Sequence, residues 1–518
     1  MDKPIGLDYI GHPIVDVGLA VCAEMAGKKH PKYLTRTDMV QILAKLREYY
    51  EDKVLQGFLM TVFPNFVWFN EVYNRKRLQK EGGDRLRAQL AQKRAEEEER
   101  ICKSILTPEG DDRCVFCGAV AFDRLYRERM PILTGGDPQT KEKFVNFFSR
   151  GVPGLPVCGP HYVAVLAFPF GTLRCDGRLL LVLPEGERAI WKIARWCLTK
   201  WQKASSLPAG AKFSSHFFKT RLLQVLQWLI EEEEKAEGAV GYHITNYGTN
   251  ADVDEYVLPL EVLSFLQRVL TDPDTSSIWK RIEAKEWWVA GEKEQIKEAE
   301  PIGDREVAYF VRQTVRKKVG EYDTEYDPDC KRRNALYEAL VKMAQNPPRE
   351  SRHFIRRFIL RLPWLRATMK GDLPLDEIAL IRWEIARMFC EEVLGMDRER
   401  LDMVRNLADR LAKHIQKTTD TKAFKQILYQ SERDYRTLRT VLLRVDERMV
   451  RNGEEPLLRF DEYVRIFEEA EGMAHRDWRL ARDLLLIRLI EKLYESGWFQ
   501  KEDVRKEVEQ EAEREEEE

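Results

Sequence analysis

The spacing of apolar residues divides the chain into a mixed first half and a mostly helical second half. Arg178–Pro184 is a continuous apolar run typical of a buried strand, and residues 240–260 alternate apolar and polar positions. From residue 397 onward, apolar side chains recur every three or four positions, which predicts amphipathic helices. Two such stripes are Leu401, Val404, Leu407, Leu411 and Ile415, and Leu438, Val441, Leu442, Val445 and Met449. Short connections between these helices predict an antiparallel bundle.

The remaining segments complete an α+β prediction in five parts. Residues 1–70 interleave short apolar runs with Gly and Pro, which favours helices and strands together, and residues 71–105 are typical of an exposed charged helix. We predict a mixed α/β region at 1–106, a compact module at 107–185, a middle region at 186–395 that passes from α+β to helical, a helical bundle at 396–500 and an acidic tail at 501–518.

Composition indicates a globular protein and gives no simple indication of its partners. Hydrophobic residues make up 44% of the 518 residues, and no stretch reaches the ~18 uninterrupted apolar residues of a membrane helix. Because the N-terminus lacks the basic-then-apolar order of a signal peptide, we expect a cytoplasmic protein with reduced or metal-bound cysteines. Lys and Arg (85) nearly balance Asp and Glu (87), so only local clusters of charge are informative.

The most specific motif is a pair of short knuckles with ligand residues three apart. The first knuckle is Cys114-Val115-Phe116-Cys117 and the second is Cys158-Gly159-Pro160-His161. Together they supply the soft donors of a tetrahedral zinc site. Four protein ligands leave no open position for water, which predicts a structural Zn²⁺. Cys175 is close enough in sequence to replace His161 as the fourth ligand, and two unrelated buried cysteine pairs are the alternative interpretation.

Basic residues cluster at three places despite the balanced net charge. They are Arg312, Arg316, Lys317 and Lys318; then Arg349, Arg352, Arg356, Arg357 and Arg361; and, within the predicted bundle, Lys413, Lys417, Lys422, Lys425, Arg436 and Arg439. Positions 349, 352 and 356 share one helical face, so their guanidiniums can follow successive phosphates. We interpret all three clusters as contacts to a nucleic-acid backbone; the alternative is solvated helix faces paired with nearby acids.

One loop is suited to reading bases. Asn246, Tyr247, Gly248 and Asn250 follow a predicted strand, and Asn side chains pair with base edges where Gly permits close backbone approach. Asn-Tyr-Gly is also a common turn that needs no ligand.

These motifs together resemble those of the large subunit of type I CRISPR interference complexes, the family with paired Cys knuckles. Three further stretches support the likeness in the family's order: Gly11–Gly18 (GHPIVDVG), Tyr242–Asn250 (YHITNYGTN) and Asp477–Leu484 (DWRLARDL). One departure is the second knuckle, which is Cys-x-x-His where the family usually has Cys-x-x-Cys.

The resemblance implies a non-catalytic subunit of an antiviral ribonucleoprotein. Its expected partners are the guide RNA at its 5′ end, target duplex DNA with its flanking motif, the displaced single DNA strand, and the backbone, guide-capping and small subunits. A helicase-nuclease, or a transposition adaptor in related complexes, would be recruited afterwards. The C-terminal bundle would resemble the small subunit, and no membrane is involved.

Other classes remain as alternatives, a zinc-containing nuclease or hydrolase and a purely structural scaffold. The sequence contains no phosphate-binding GxxxxGK[ST] loop, no HExxH and no GxSxG motif, and its eight His are scattered singly. This pattern favours a protein that is not an enzyme.

Overall fold

The chain forms two units. The computed structural model describes residues 2–63, 66–69, 83–125, 154–205, 217–232, 237–245, 252–289, 332–367, 375–432, 434–468, 478–501 and 504. The first unit contains Met1–Leu260 and Trp287–Tyr337, and the second contains Glu261–Glu286 and Glu338–Glu518. Among the described residues, helices dominate both units and the first unit also contains three antiparallel sheets, which confirms the α+β class. The five-part division into domains stays a prediction.

Helices build the N-terminal part of the first unit. The helices of this unit are α1 Pro13–Met25, α2 Arg36–Glu51, α3 Lys53–Leu59, α4 Gly83–Leu106, α5 Gly159–Ala167, α6 Glu187–Ser205 and α7 Phe218–Glu231. The strands predicted within residues 1–70 are not found among the described residues there, where the one strand-like pairing is the bridge from Pro4 to Thr35. Helix α1 is buried on every side from Ile14 to Ala23, because its side chains are small or apolar.

A four-stranded antiparallel sheet follows in the same unit. Its strands, in spatial order, are β3 Leu173–Cys175, β4 Arg178–Pro184, β5 Ala239–Thr245 and β6 Asp252–Leu258. The strand predicted at 178–184 is thus confirmed, and the alternating segment after residue 240 forms the β5–β6 pair. Helix α7 packs closely on β5, because a Cβ at Gly241 would lie 2.7 Å from a Leu222 methyl group.

Two shorter strand pairs complete the sheets. They join β1 Asp123–Leu125 to β2 Leu155–Val157, and β7 Trp287–Val289 to β8 Arg332–Asn334. The β1–β2 pair lies directly beside both predicted knuckles in the sequence.

The second unit is helical in its described residues. Its helices are α8 Leu260–Thr271, α9 Pro273–Lys285, α10 Ala335–Gln345, α11 Pro347–Phe354, α12 Leu362–Ala367, α13 Leu375–Ile378, α14 Trp383–Glu392, α15 Arg398–Thr418, α16 Thr421–Leu428, α17 Tyr435–Arg451, α18 Phe460–Tyr463 and α19 Trp478–Glu495. Helices α8 and α10 begin in the first unit and continue into the second. Wider π-helical turns continue α11 over Ile355–Ile359 and α18 over Val464–Glu468. Among the described residues of the chain, no helix combines the length and apolar content needed to cross a membrane.

Both predicted apolar stripes of this unit face its core. Every residue of the Leu401–Ile415 stripe is at most 1% exposed, and α15 packs along α19. Asp409 pairs with Arg488, and Lys492 O accepts from Gln416, so α15 and α19 run in the same direction. Neighbouring α16 and α17 run in opposite directions, as short connections require. The bundle therefore contains both orientations.

Candidate functional site

The first knuckle is a tight turn held by its own backbone. Cys114 N–H donates to Ala119 O at 2.8 Å, and Gly118 N–H donates to Cys114 O at 2.9 Å. Gly118 has φ of +72°, a left-handed conformation that glycine adopts without steric cost.

The second knuckle is the start of a helix. Cys158 is the N-cap of α5, and its carbonyl accepts from Tyr162 N–H at 2.9 Å. His161 lies on the first turn and is 1% exposed. Gly159 has a different role from Gly118: a Cβ there would lie 2.2 Å from Ser104 Oγ, so glycine allows α5 to pack against α4.

Strand pairing brings the two knuckles together. Val115 N–H, inside the first knuckle, donates to Pro156 O on β2 at 3.0 Å. Phe122 N–H donates to Val157 O, immediately before Cys158, at 2.8 Å. The β1–β2 register therefore determines which residues of the two knuckles meet.

Four side chains converge to form a cluster suited to a metal ion. The ligand atoms of Cys114, Cys117, Cys158 and His161 all lie within 4.8 Å of one another. Cys117 Sγ is 3.7 Å from Cys158 Sγ, and His161 Nδ1 is 3.2 Å and 4.0 Å from the sulfurs of Cys158 and Cys114. Tetrahedral zinc with Zn–S of ~2.3 Å and Zn–N of ~2.0 Å requires S···S of about 3.8 Å and S···N of about 3.5 Å. The four predicted ligands therefore fit a metal ion.

Cys175 lies elsewhere. It is on β3, where its carbonyl accepts from His243 Nε2 at 3.0 Å, and its thiol is not part of the metal cluster. The alternative that Cys175 replaces His161 is thus disfavoured by geometry.

The cluster shares protons among its members. Hydrogen bonds with Cys117 and Cys158 lower the pKa of the Cys114 thiol, whereas hydrogen bonds with Cys114 and Cys117 raise the pKa of the Cys158 thiol. Burial lowers the pKa of His161, but hydrogen bonds with Cys114 and Cys117 outweigh it and raise the pKa to about 9. The neighbouring thiols therefore favour the charged forms of Cys114 and His161 and the neutral form of Cys158.

We expect metal affinity to rise with pH. Binding requires His161 to be neutral and Cys158 to be a thiolate, so each displaced proton strengthens binding about tenfold per pH unit below that group's pKa. Because the pKa of His161 is about 9, the increase should continue from pH 6.5 to pH 9. Competition titration with a chromophoric chelator measures it. A Cys175→Ser variant serves as the control with the same slope, and a pH-independent affinity would contradict this picture.

Two of the predicted nucleic-acid sites fall outside the described residues. They are the loop with Asn246, Tyr247, Gly248 and Asn250, whose neighbours are the ends of β5 and β6, and the cluster Arg312, Arg316, Lys317 and Lys318. Both stay predictions.

The second basic cluster is largely engaged within the protein. Arg349 is exposed, whereas Arg352 Nε lies 2.9 Å from Asp483, a carboxylate that is 0% exposed. Arg356 Nε lies 4.0 Å from the same carboxylate, and Arg357 lies over the ring of Phe358. The shared face predicted for positions 352 and 356 thus exists, but it faces an internal acid.

Arg361 is the residue for which the structure most clearly contradicts the predicted contact with a nucleic-acid backbone. Its side chain is 0% exposed and forms ion pairs with Glu286 at 2.6 Å and Glu377 at 2.8 Å. Its guanidinium also lies 3.7 Å from the ring centre of Trp364. The prediction that Arg361 contacts a phosphate is wrong, because the buried carboxylates take up its charge and its donors.

The basic residues of the bundle divide into two groups. Lys425 is 8% exposed and Lys417 pairs with Glu454, so neither presents a free charge in this structure. The other four, Lys413, Lys422, Arg436 and Arg439, are exposed and form no ion pair with described residues. This second group retains the interpretation as backbone contacts.

The DWRLARDL motif has a role that sequence reasoning missed. Arg482 is fully buried, donates to the carbonyls of Ile427 and Leu428 at the end of α16, and pairs with Asp483 at 2.6 Å. Arg352 adds a second cation to Asp483. The motif therefore joins three helices, and the sequence signal for this is an adjacent Arg-Asp pair with apolar residues on both sides.

A second group of possible ligands lies near the N-terminus. His30 Nε2 is 2.9 Å from Glu187 and 3.8 Å from Asp8. However, His30 Nδ1 accepts from Lys32 N–H at 3.2 Å, so in the neutral ring the proton is on Nε2. That nitrogen then donates to Glu187 and has no lone pair for a metal. We interpret this group as a hydrogen-bonded cluster.

Among the predicted sites, the described residues bring the metal cluster together and leave four cations of the bundle exposed. Comparisons of the chain with protein-family models, with curated proteins and with solved structures find no match.

Proposed function

We propose that the chain is the non-catalytic large subunit of a type I CRISPR RNA-guided complex. The observation that supports it best is the ordered set of motifs: GHPIVDVG, the two knuckles, YHITNYGTN and DWRLARDL. The side chains of the knuckles meet in one cluster, as expected if the motifs act together. In this role the subunit contacts the 5′ end of the guide RNA and the flanking motif of target DNA, stabilises the opened duplex and recruits a helicase-nuclease or a transposition adaptor.

The metal is proposed to be zinc with a structural role. Three thiols and one imidazole are the donor set that zinc prefers, and a tetrahedral ion with four protein ligands has no position left for water or substrate. Such a centre supplies cross-links between the knuckles rather than chemistry. The hydrolase alternative requires an open position, which this set does not provide.

Nucleic acid is proposed to bind through the exposed cations of the second unit. Arg436 and Arg439 lie near the start of α17, one turn apart on its exposed side. A single DNA strand binds to grooves of this charge through its phosphates. Because Arg352, Arg361, Lys417 and Lys425 are buried or paired, we assign them no part in this contact.

Replacing Arg436 and Arg439 by Gln should weaken the binding of single-stranded DNA. It should also reduce the dependence of that binding on salt concentration. At ~0.7 per phosphate of a single strand, losing two contacts lowers the slope of log K against log salt by about 1.4. The matched control replaces Arg448 and Arg451 on the same helix, whose partners are Asp420 and Glu447. Fluorescence anisotropy with a labelled oligonucleotide of about 20 nucleotides measures both. An equal fall in slope for the control pair would refute the assignment.

The proposed function is tested by reconstitution with and without the chain. Neighbouring subunits and a guide RNA are co-expressed, and binding of a target duplex is measured with matching and altered flanking motifs. We expect flanking-motif-dependent binding to disappear when the chain is omitted or when Asn246 and Asn250 are replaced by Ala. Equal target binding without the chain would overturn the proposal and favour a scaffold.

A further inference from the structure

The DWRLARDL motif has a buried part and a surface part. Arg482 and Asp483 are fully buried, whereas Trp478 is half-buried and Arg479 is exposed. Trp478 and Arg479 are the first two residues of α19. The start of this helix therefore presents an aromatic ring and a cation at the surface of the second unit.

The surface part of the motif lies against the start of α17. The centroids of the Trp478 and Tyr435 rings are 5.2 Å apart, with 39° between the ring planes. Arg479 lies over the Trp478 ring, 5.3 Å from its centroid. Tyr435 is the first residue of α17, immediately before Arg436, and Arg439 follows one turn later. The two rings therefore lie beside the exposed cations to which we assign the DNA backbone.

Hydrogen bonds hold the ring of Tyr435 in this position. Its hydroxyl donates to the Glu468 carboxylate at 2.7 Å and is also bonded to the hydroxyl of Tyr463. Since Tyr435 has a single hydroxyl proton, the Tyr463 hydroxyl is the donor in the second bond. Glu468 ends the π-helical turn Val464–Glu468 that follows α18. A ring that is already held by its polar end loses little freedom when a base stacks on it.

The charges on this surface favour an anionic partner. Arg436, Arg439 and Arg479 are exposed and form no ion pair with described residues. The Asp434 carboxylate, in contrast, accepts from two backbone N–H groups at the start of α17, at 3.0 Å and 3.2 Å. Glu468 accepts from the tyrosine hydroxyl. These two acids are therefore bonded within the protein, whereas the three cations are open to phosphate.

An aromatic pair among cations matches the two kinds of contact that a single nucleic-acid strand makes. Its phosphates bind to cations, and its bases stack on aromatic faces. In a duplex the bases are already stacked on one another, so an aromatic face at the protein surface gains no base from it. The surface therefore favours a single strand over a duplex.

We propose that Tyr435 and Trp478 form a base-stacking platform for single-stranded DNA, beside the phosphate contacts of Arg436, Arg439 and Arg479. A base stacks on the exposed part of the aromatic pair while the flanking phosphates lie against the guanidiniums. Because every base has an aromatic face, the platform accepts any sequence, as a displaced strand requires. The inference rests on the single-strand contact proposed above.

Replacing Trp478 separates stacking from charge. Trp478→Leu keeps an apolar side chain and removes the ring, so we expect the full chain to bind the same labelled oligonucleotide about 5- to 100-fold more weakly. The slope of log K against log salt should stay unchanged, because no phosphate contact is lost. An oligonucleotide with abasic sites in place of its nucleotides' bases should bind equally to Trp478→Leu and to the unmodified chain.

Two further variants are the controls for this experiment. Trp478→Phe restores an aromatic face and should recover most of the affinity. Tyr494→Leu changes a half-buried aromatic residue about 24 Å further along the same helix and should bind like the unmodified chain. Binding by Trp478→Leu as tight as that of the unmodified chain, with the slope intact, would overturn the platform alone. If the unmodified chain shows no salt-dependent binding of the oligonucleotide, the proposed DNA contact itself fails.

Photochemical cross-linking of the unmodified chain does not depend on the folding of a variant. An oligonucleotide that carries 5-iodouracil in place of thymine cross-links under ultraviolet light to aromatic side chains on which the modified base stacks. We expect mass spectrometry to place a cross-link on Tyr435 or Trp478. Cross-links confined to peptides that contain neither residue would refute the proposal.

Discussion

Cys114→Ser is expected to lose its metal and to destabilise the first unit. The thiol is 3% exposed and belongs to the same buried core as α1, α2 and the four-stranded sheet, so loss of the cross-link reaches that core. A ligand present at 1,000 times its Kd stabilises the folded state by about 4 kcal/mol, which is the loss we expect. Metal analysis and urea denaturation of the full chain measure the two effects. Chelation of the unmodified protein should reproduce the loss.

A pair of variants decides the fourth ligand at the same time. His161→Ala should behave like Cys114→Ser, because His161 Nδ1 lies 3.2 Å from Cys158 Sγ. Cys175→Ser should retain a full equivalent of metal, since Cys175 lies on β3 outside the cluster. The opposite result, metal lost from Cys175→Ser and retained by His161→Ala, would show that the cluster geometry is wrong.

Arg361→Met is expected to destabilise the second unit by about 3–5 kcal/mol, the usual cost of removing one partner from a buried ion pair. The change leaves the Glu286 carboxylate, 0% exposed as a side chain, without its cation, whereas Glu377 keeps its second cation, Lys285, at 2.6 Å. Urea denaturation measures the loss. Adding Glu286→Gln to Arg361→Met should recover most of it, because the unpaired buried charge is then gone.

The pH dependence of this variant has a defined sign. Burial raises the pKa of Glu286, and the charge and hydrogen bond of Arg361 act to lower it. Without Arg361 the folded-state pKa rises further above the unfolded value, so folding favours the protonated acid and the variant gains stability as the pH falls. The deficit relative to the unmodified chain should therefore shrink as the pH falls through the raised folded-state pKa of Glu286, and it should be smallest near the ordinary carboxyl pKa of about 4.3. A deficit that grows toward low pH would contradict this. DNA binding should stay unchanged, since Arg361 is fully buried.

Local patterns along the chain were sufficient for the strand at 178–184, the apolar stripes of the second unit and three of the four residues of the metal cluster. Each depends on periodicity or on residues three apart, and backbone geometry converts such spacing directly into a shared face or a tight turn. For Cys114, Cys117 and Cys158 the alternative interpretation was two unrelated buried cysteine pairs, which their convergence with His161 disfavours. The choice between His161 and Cys175 needed the β1–β2 pairing and the start of α5, which place His161 Nδ1 beside the sulfurs.

The basic cluster at 349–361 shows what local spacing leaves undetermined. Periodicity placed Arg352 and Arg356 on one face correctly, but the direction of that face depends on Asp483, 131 residues from Arg352 along the chain. The environment of Arg361 likewise depends on Glu286, 75 residues away. A helix pattern specifies which side chains point together, whereas packing between distant segments determines what they meet. Basic residues whose spacing in the sequence suggested a binding surface instead form ion pairs with acidic side chains that folding has buried.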